Sequence, residues 1–344
     1  MKHRVIYLLG PEHIELREET VPSPAEGEML VRIRAATTCG TDVKVFRRGG
    51  HPRMLRVPTP FGHEFAGMVE EVGPGVEGYN RGDRVVVVNS ASCGRCAYCD
   101  AGRENLCRDL QYINGAFAEY LLLPRRFVES STHLIGPDLP YEVAAVAEPL
   151  ACVIHSIDAC ELQDDSEVLV YGAGPMGALL TAVLAVGGHR VAAADPNPQR
   201  LDVARALGAR ELVEVARGGG EAERLRARSA DGLGFDCAID ATGVPAVWED
   251  AFGCVRPGGV VNFFGGCPPG TQVSLDTAQV HYNELTIKGA YHHRPATVSR
   301  ALDMLSRSLL DPRPLLSAEV PLDDLEKALR SMMAKEALKV VVRP

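Results

Sequence analysis

The sequence predicts a two-domain protein with a barrel-like all-β body in its first half and an α/β, doubly wound parallel sheet in its second half. Short strand patterns, separated by proline and glycine, fill the first 150 residues. A strand, a glycine-rich turn, a helix and a second strand then follow one another from Glu167 to Asp195. Beyond Asp195, strand and helix patterns alternate as far as Tyr291. Such alternation is typical of a sheet with helices on both faces.

Length and composition limit the possible classes of protein. A chain of 344 residues is expected to form two domains, and 46% hydrophobic with 24% charged residues is ordinary for a globular core. The net charge of −9, without a long basic run, argues against a nucleic-acid partner. The sequence shows no uninterrupted apolar stretch of 18 or more residues and no usable signal segment, so a cytoplasmic protein without a membrane span is expected. In that compartment ten cysteines are more typical of ligands or buried thiols than of disulfides.

The first half reads as many short strands. Residues 29–36 alternate apolar and polar side chains, which is typical of a half-buried strand. Frequent turn residues between such segments favour a barrel-like body. The predicted strands are residues 5–9, 14–18, 29–36, 67–72 and 85–88.

The second half predicts a sheet of about six strands. The patterns predict a helix over Trp248–Val255 that Pro257, Gly258 and Gly259 break, and a new strand over Val260–Gly266. Two late segments, residues 295–310 and 322–333, repeat their apolar residues at helical spacing, and a final strand closes the chain. The remaining predicted elements are strands at 168–171, 191–194, 211–215, 235–240, 285–291 and 338–342, and helices at 176–186 and 198–207.

The turn after the first strand of this half carries the spacing G-x-G-x-x-G at Gly172, Gly174 and Gly177. The first glycine permits a sharp turn, the second lets the backbone approach a pyrophosphate, and the third lets helix and strand pack closely. Free N–H groups at the helix start then face the phosphates. Asp195 follows about 20 residues later, where an acid binds the ribose hydroxyls and repels a 2′-phosphate. The motif therefore predicts a dinucleotide site, and Asp195 predicts NAD rather than NADP. The alternative is an ordinary turn in an α/β domain that binds no nucleotide.

A second motif lies in the first half, where four cysteines fall within fifteen residues: Cys93, Cys96, Cys99 and Cys107. Four thiolates can close around one zinc ion, and this arrangement leaves no open coordination position for catalysis. The last spacing differs from that of bacterial ferredoxins, which argues against an iron–sulfur cluster. The remaining cysteines outside possible sites have no ligand spacing and are predicted to be buried thiols: Cys152, Cys160, Cys237, Cys254 and Cys267.

Three dispersed segments are ambiguous when each is considered alone. Cys39 precedes a glycine, which is usual for a small buried residue, and His63 beside Glu64 is compatible with an internal polar pair. Glu148 before Pro149 is compatible with the end of a turn. Residue types alone therefore favour a structural role over a functional one at each of these positions.

Taken together, these motifs resemble the zinc-dependent medium-chain alcohol dehydrogenases over essentially the full length of the chain. The pairing of GHE with EPL is more similar to the polyol (sorbitol-type) and threonine dehydrogenases than to the liver ethanol enzyme. The matching segments are CGTD at 39–42, FGHEFAG at 61–67, GDRV at 82–85, the cysteine lobe at 93–107, AEPLAC at 147–152 and GAGPMG at 172–177.

The resemblance implies a particular domain organisation. A GroES-like β-barrel catalytic domain is expected over residues 1–153, completed by residues 292–344 after the chain returns to it. A Rossmann dinucleotide-binding domain is expected over residues 154–291. The resemblance also implies a homo-oligomer, either a dimer or a tetramer.

The resemblance assigns roles to the ambiguous residues. Cys39, His63 and Glu64 are implied as ligands of a catalytic zinc, and Glu148 as a further ligand or as a carboxylate that holds the metal's water. Thr41 is implied as the hydroxyl that passes the alcohol proton outward. The four-cysteine motif is implied as the site of a second, structural zinc. The implied cofactor contacts beyond the glycines and Asp195 are Pro175, Met176, Arg200, Thr242, Gly265 and Tyr291.

The implied reaction is transfer of a hydride from a secondary alcohol, in a polyol, sugar or related small hydroxy compound, to NAD. A Lewis-acidic zinc makes the hydroxyl easier to deprotonate, and the nicotinamide accepts the hydride. Carboxylate ligands leave the ion harder, which could suit a chelating diol. Many relatives end their proton relay in a histidine where this chain has Lys44, so the role of that lysine stays open. The alternatives are L-threonine 3-dehydrogenase and a zinc-free, reductase-like nucleotide-binding protein.

Overall fold

The computed structural model of the chain describes residues 1–51 and 53–344. Its strands are β1 (Lys2–Gly10), β2 (His13–Thr20), β3 (Met29–Thr37), β4 (Thr59–Pro60), β5 (Glu64–Val72), β6 (Arg84–Val87), β7 (Ser90–Ala91), β8 (Gln111–Tyr112), β9 (Tyr120–Leu123), β10 (Thr132–Leu134), β11 (Glu167–Tyr171), β12 (Arg190–Asp195), β13 (Glu211–Glu214), β14 (Phe235–Asp240), β15 (Val255–Phe263), β16 (Thr286–Gly289), β17 (Leu316–Pro321) and β18 (Lys339–Arg343).

Its α-helices are α1 (Gly40–Arg48), α2 (Ala97–Asp100), α3 (Arg125–Ser130), α4 (Tyr141–Ala144), α5 (Ala147–Cys160), α6 (Pro175–Val186), α7 (Pro198–Ala206), α8 (Ala222–Arg226), α9 (Pro245–Cys254), α10 (Thr277–Tyr282), α11 (Pro295–Ser306) and α12 (Leu325–Met333). Short 3₁₀ turns lie at Glu104–Leu106, Arg313–Leu315 and Leu322–Asp324.

The chain divides into two compact units. One comprises Met1–Ala151 together with Arg294–Pro344, and the other comprises Cys152–His293. The first unit is therefore discontinuous in sequence, whereas the second is a single contiguous segment. The first division falls within α5.

The first unit is built mainly on antiparallel strands, and β17 pairs parallel with β18. Its main sheet has the order β10-β6-β5-β3-β18-β17, with β9 also paired to β3, and a smaller sheet has the order β2-β1-β4. Strand, helix and loop side chains together form one apolar core, which includes Phe65 from β5, Phe46 from α1, and Phe61 and Phe117 from loops. Burying such large aromatic side chains stabilises each by several kcal/mol relative to exposure, roughly in proportion to area.

The end of the chain completes this core. Strand β18 pairs antiparallel with β3, placing Val341 opposite Thr37 and Val342 opposite Ala36. Val342 and Leu325 belong to the same apolar cluster as the barrel phenylalanines. The C-terminal segment is thus part of the first unit's core, and it brings β18 beside the residues that follow β3.

The second unit is a six-stranded parallel sheet with the order β13-β12-β11-β14-β15-β16. Its inner strands are buried along most of their length, as parallel strands covered on both faces must be. The strand order reverses beside β11, so ligands are expected at the carboxyl ends of the strands there. The predicted doubly wound sheet is confirmed.

One local prediction was wrong. The helix predicted over Trp248–Val255 is α9, which begins at Pro245 and ends at Cys254, so proline occupies its first turn. Residues 257–259 do not lie between a helix and a new strand but inside β15. They form an irregularity: Phe235 pairs with Val255, but Cys237 pairs with Val260. A bulge in the parallel ladder accommodates the Pro-Gly-Gly segment that the sequence pattern predicted as a break.

The segment Tyr141–Cys160 also departs from expectation. It forms a helical stretch that is long and apolar enough, by length and composition, to cross a membrane, and 78% of its most apolar window is buried within the protein. A core helix satisfies the same test, so the stretch is weak grounds for a membrane span. The sequence shows no uninterrupted apolar run here, because Glu142, Glu148 and Asp158 lie within the segment.

Four of the five cysteines predicted as buried thiols are buried, namely Cys152, Cys160, Cys237 and Cys254. Cys267 is partly exposed. It lies in the loop that follows β15, four residues beyond the last residue of that strand, Phe263. Its apolar character therefore did not decide its burial.

Candidate functional site

Cys39 is fixed at the start of a helix. It is the N-cap of α1, and its Sγ accepts a hydrogen bond of 3.4 Å from the N–H of Thr41. The backbone N–H of Cys39 donates to Asp42 Oδ2 at 2.8 Å. These reciprocal bonds form a capping box, which satisfies the free N–H groups at the helix start and sets the direction of the thiol.

His63 is held by the same aspartate. Its Nδ1 lies 2.9 Å from Asp42 Oδ1, and both side chains are buried. Burial lowers the pKa of His63, but the charge of Asp42, its hydrogen bond and the Cys39 sulfur outweigh that effect, so the net shift is upward. With Nδ1 bonded to the carboxylate, Nε2 is the nitrogen left to bind a metal. A carboxylate behind the ring is the usual support of a metal-binding histidine.

Glu64 is bound through one oxygen only. Its Oε2 accepts hydrogen bonds from Thr37 Oγ1 and from Lys339 Nζ, and both Glu64 (0% exposed) and Lys339 (1% exposed) are buried. Lys339 also donates to Thr38 O at 2.8 Å. Burial lowers the pKa of Lys339, but the negative charge of Glu64 and of nearby groups more than offsets this, so its pKa is raised. The lysine is thus a charged partner of a buried carboxylate.

The other oxygen, Glu64 Oε1, is buried without a hydrogen-bond partner. The ligand atoms of Cys39, His63 and Glu64 all lie within 4.8 Å of one another. A thiol, an imidazole and a carboxylate oxygen are the donor types that zinc accepts, and three protein ligands leave a fourth position open. Glu64 also has an oxygen without a hydrogen-bond partner, which a metal ion would satisfy, so the residues present fit a zinc ion.

The other residues implied for this site lie in the same unit. Glu148 is buried in the first turn of α5, so Glu148-Pro149 starts a helix and does not end a turn. It is not a member of the group formed by the other three ligand atoms. Thr41 is partly buried in the first turn of α1, and Lys44 is exposed further along that helix.

The four-cysteine lobe brings its sulfurs together. The Sγ atoms of Cys96 and Cys99 are 3.6 Å apart, those of Cys96 and Cys107 are 3.9 Å apart, and those of Cys93 and Cys99 are 4.0 Å apart. Four sulfurs bound to one zinc at about 2.3 Å stand about 3.8 Å from each other at the corners of a tetrahedron. Backbone N–H groups, above all that of Arg108, lower the pKa of Cys96 to about 6. The lobe therefore fits a zinc ion with no position left for substrate.

The glycine turn of the second unit is closely packed. Gly172 has a φ of 101°, which favours glycine. A Cβ on Gly177 would lie 1.6 Å from Gly172 O, so the helix start could not approach the strand with any side chain there. A Cβ on Gly174 would meet only Arg200 Nη1, at 3.7 Å, so this side of the turn is open. Pro175 and Met176 open α6 directly after it. The turn fits the pyrophosphate of a dinucleotide.

Asp195 is buried at the end of β12 and is joined to that turn. Its Oδ2 accepts from Ala173 N–H and its Oδ1 from Asn197 N–H, each at 2.8 Å. Each carboxylate oxygen can accept two hydrogen bonds, so one remains available on each. Arg200, the third residue of α7, has a buried Nε without a hydrogen-bond partner. The carboxylate thus braces the turn and still has capacity for two ribose hydroxyls.

Thr242 and Gly265 lie beyond neighbouring strands, β14 and β15. Thr242 Cγ2 would be 2.7 Å from a Cβ on Gly172, so Thr242 lies against the glycine turn. A Cβ on Gly265 would lie 2.8 Å from Thr242 N. Tyr291 follows β16, three strands from β11 and hence about 14 Å away across the sheet. Proximity therefore links Thr242 and Gly265 to the glycine turn, and Tyr291 belongs to the far edge.

Three further residues contact this group without having been predicted from the sequence: Thr37, Asp42 and Lys339. The cysteine-to-aspartate spacing of Cys39 and Asp42 matches an N-cap and its N3 partner, which is a signal that could have revealed the aspartate. No local signal marks Lys339, because it meets Glu64 across 275 positions of sequence. Only the pairing of β18 with β3 brings it there.

Comparison with known proteins agrees with both halves of this description. The model of the alcohol dehydrogenase GroES-like domain matches residues 25–132. The model of the zinc-binding dehydrogenase family matches residues 175–307. Together these matches cover more than half of the chain.

Three similar proteins cover nearly the whole chain. An L-threonine 3-dehydrogenase from Idiomarina loihiensis is 33% identical over 330 residues, covering 93% of each chain. The crystal structure of a zinc-binding dehydrogenase from Sinorhizobium meliloti 1021, bound to NADP, superposes with a TM-score of 0.91 at 28% identity over all of both chains. The structure of L-idonate 5-dehydrogenase from Escherichia coli K-12 superposes with a TM-score of 0.87 at 25% identity, covering 100% of this chain and 99% of that one.

Proposed function

Because the chain belongs to the zinc-binding dehydrogenase family and is an oxidoreductase, we propose that it transfers a hydride from a secondary alcohol to NAD. The substrate class is a polyol, a sugar or a related small hydroxy compound. The observation that carries the proposal is the convergence of Cys39, His63 and Glu64, including the partnerless oxygen of Glu64. The protein would hold two zinc ions, one at this group and one in the four-cysteine lobe.

The protein's own residues prepare the site for this chemistry. When bound, zinc supplies Lewis acidity that lowers the pKa of a substrate hydroxyl, and NAD supplies the hydride acceptor. Asp42 keeps the His63 ring oriented and its Nε2 available. Lys339 and Thr37 hold Glu64 through one oxygen, so that the other is presented alone. Thr41 lies in the first turn of α1 beside Cys39, where its hydroxyl can accept the alcohol proton.

Two supports favour NAD over NADP. Asp195 ends β12 with one acceptor position left on each oxygen, which suits two ribose hydroxyls. A 2′-phosphate beside this buried carboxylate would meet a like charge.

We expect Asp195→Ser to weaken the binding of NAD and to relax the preference against NADP, as measured by the kcat/KM of each cofactor. An unchanged kcat/KM for NAD in this variant would remove Asp195 from the cofactor site.

A second candidate is L-threonine 3-dehydrogenase. It is favoured by the 33% identity over 93% of the chain to an enzyme of that name. L-Threonine also carries a secondary alcohol, so the two candidates share the reaction and differ in the groups around the hydroxyl. The proposed setting is the same for both, a cytoplasmic homo-oligomer acting on a small molecule.

The experiment is an oxidation assay with the purified full chain over a panel of polyols, sugar acids, sugars and L-threonine, each with NAD and with NADP. Reduced cofactor is measured by its absorbance. Activity on a polyol or sugar above that on L-threonine supports the first candidate, and the reverse order supports the second. Absence of oxidation with every alcohol, in a protein that contains zinc at both sites, contradicts both.

A further inference from the structure

The single tryptophan of the chain lies beside the proposed cofactor site. Trp248, on α9, donates its indole N–H to Asp240 Oδ2 at 2.9 Å and to Gly265 O at 3.0 Å. Its ring stacks on Phe263, with centroids 3.9 Å apart and an interplanar angle of 13°. One side chain thus joins the segments that follow β14 and β15.

Asp240 is the centre of this arrangement. It is the last residue of β14 and is 0% exposed. Its Oδ1 accepts from the N–H and the hydroxyl of Thr242, at 3.0 and 2.6 Å, and its Oδ2 accepts from Gly243 N–H at 3.0 Å as well as from Trp248. Burial raises the pKa of Asp240, and these bonds counteract that rise. Four donors on one buried carboxylate define the turn rigidly, because each bond lost would leave a costly unsatisfied group.

The two segments that Trp248 joins are in direct contact. A Cβ on Gly265 would lie 2.4 Å from Gly243 N and 2.6 Å from Asp240 Oδ2. A Cβ on Gly243 would lie 2.5 Å from Gly266 O. The segments therefore meet backbone to backbone, and their separation depends on the carboxylate and the indole between them.

We propose that Asp240 and Trp248 are positioning residues for the dinucleotide, which hold Thr242 and Gly265 at a fixed separation before the cofactor arrives. This inference rests on the proposed function, since it assumes that Thr242 and Gly265 contact NAD. Both lie at the carboxyl ends of adjacent parallel strands, where ligands of such sheets bind. A binding surface that is already ordered avoids the entropy cost of ordering its loops on binding. Neither Asp240 nor Trp248 needs to touch the cofactor to act in this way.

The test uses Trp248→Phe, which keeps an aromatic ring on Phe263 and removes the indole N–H. We expect the Kd of NADH and the KM of NAD to rise about tenfold, because the segments that the indole no longer joins must be ordered when the cofactor binds. The KM of the alcohol at saturating NAD should stay unchanged. Binding of NADH is measured by calorimetry, and in the wild-type protein also by quenching of Trp248 fluorescence, which reports this position alone.

The matched control is Phe252→Leu. Phe252 packs edge-on against the same Phe263, at 5.5 Å and 71°, and its side chain has no polar atom to hold the turn. We expect this variant to lose packing, measured by urea unfolding, and to keep the Kd of NADH. Equal weakening of NADH binding in both variants would assign the effect to packing and overturn the inference.

Two further outcomes separate the inference from its premise. If wild-type protein binds NADH and Trp248→Phe binds it equally well, the positioning role is wrong and the proposed function stands. If wild-type protein binds neither NADH nor NADPH, the proposed function is wrong, and the inference is overturned with it.

Discussion

At the scale of single residues, the candidate zinc site depends on how a buried carboxylate is compensated. Glu64 is fully buried, and the positive charge that faces it is Lys339, which comes from the last strand. Burial of an unpaired charge is far more costly than burial of a paired one. Lys339 therefore stabilises the buried charge of Glu64, whereas Cys39, His63 and Glu64 are the proposed zinc ligands.

In the zinc-free protein, replacing Lys339 with Met should lower the free energy of unfolding by about 3–5 kcal/mol, because Glu64 then stays buried without a cationic partner. Urea unfolding of the full chain measures the change. The double variant Lys339→Met, Glu64→Gln should recover part of the loss, since its side chain at 64 is neutral. Lys327→Met is the matched control, because Lys327 is exposed on α12. A Lys339 variant no less stable than this control would contradict the explanation.

At the scale of elements, two glycines of the turn between β11 and α6 lack a side chain for different reasons, one for packing within the protein and one for the approach of a ligand. Gly177 is needed by the protein itself, because a Cβ there would meet Gly172 O at 1.6 Å. Gly174 is not, because a Cβ there would contact only Arg200 at an ordinary 3.7 Å. Its lack of a side chain is explained by a ligand that approaches the backbone.

We therefore expect Gly177→Ala and Gly174→Ala to differ in kind. Gly177→Ala should cost roughly 3 kcal/mol of stability, at the upper end for overpacking. Gly174→Ala should keep the stability of the wild type and raise the KM of NAD about tenfold or more, since a methyl group displaces the pyrophosphate from its N–H donors. Thermal unfolding and cofactor kinetics measure the two effects. Gly289→Ala, with open space around its Cβ, controls for substitution at the end of a strand. Normal cofactor kinetics in Gly174→Ala would argue against a pyrophosphate at this turn.

At the scale of the whole molecule, two separate groups of ligand atoms predict two zinc ions per chain. Both groups lie in the first unit, one around Cys39 and one in the cysteine lobe. The lobe offers four thiolates and no open position, and the other group offers three different donors. The two sites should therefore respond differently when one ligand is removed.

Metal analysis of the purified protein should give two zinc ions per chain. Cys39→Ser should retain one zinc, because its four-cysteine lobe is intact. It should lose oxidation activity, because the group around Cys39 no longer has its three ligands. Cys96→Ser should also retain one zinc, and it should become sensitive to proteolysis between residues 93 and 107, because the metal holds that lobe. Cys254→Ala, which removes a buried thiol outside either group, should keep both ions. One zinc in the wild type would leave only a structural site, and none would favour the zinc-free, reductase-like class.

Much of this protein is encoded in short stretches of sequence. The glycine turn, the cysteine lobe and most strands and helices follow from residues that lie within about 20 positions of each other, because strand, turn and helix preferences are local. The family follows from the order of several such short motifs between residues 39 and 177. The family and the fold are confirmed by the comparisons and by the sheet topology. The roles of the individual site residues remain predictions that the variants above test.

Other features were decided by the tertiary structure alone. The contact of Lys339 with Glu64 depends on the pairing of β18 with β3. The course of β15 through residues 257–259 depends on its neighbour β14. The hydrogen bond from Trp248 to Gly265 O depends on β14 and β15 lying side by side. Each of these contacts joins residues that are not linked by any local sequence pattern. Backbone pairing and close packing bring such groups together only after the chain has folded, so a reading based on local preferences cannot supply them.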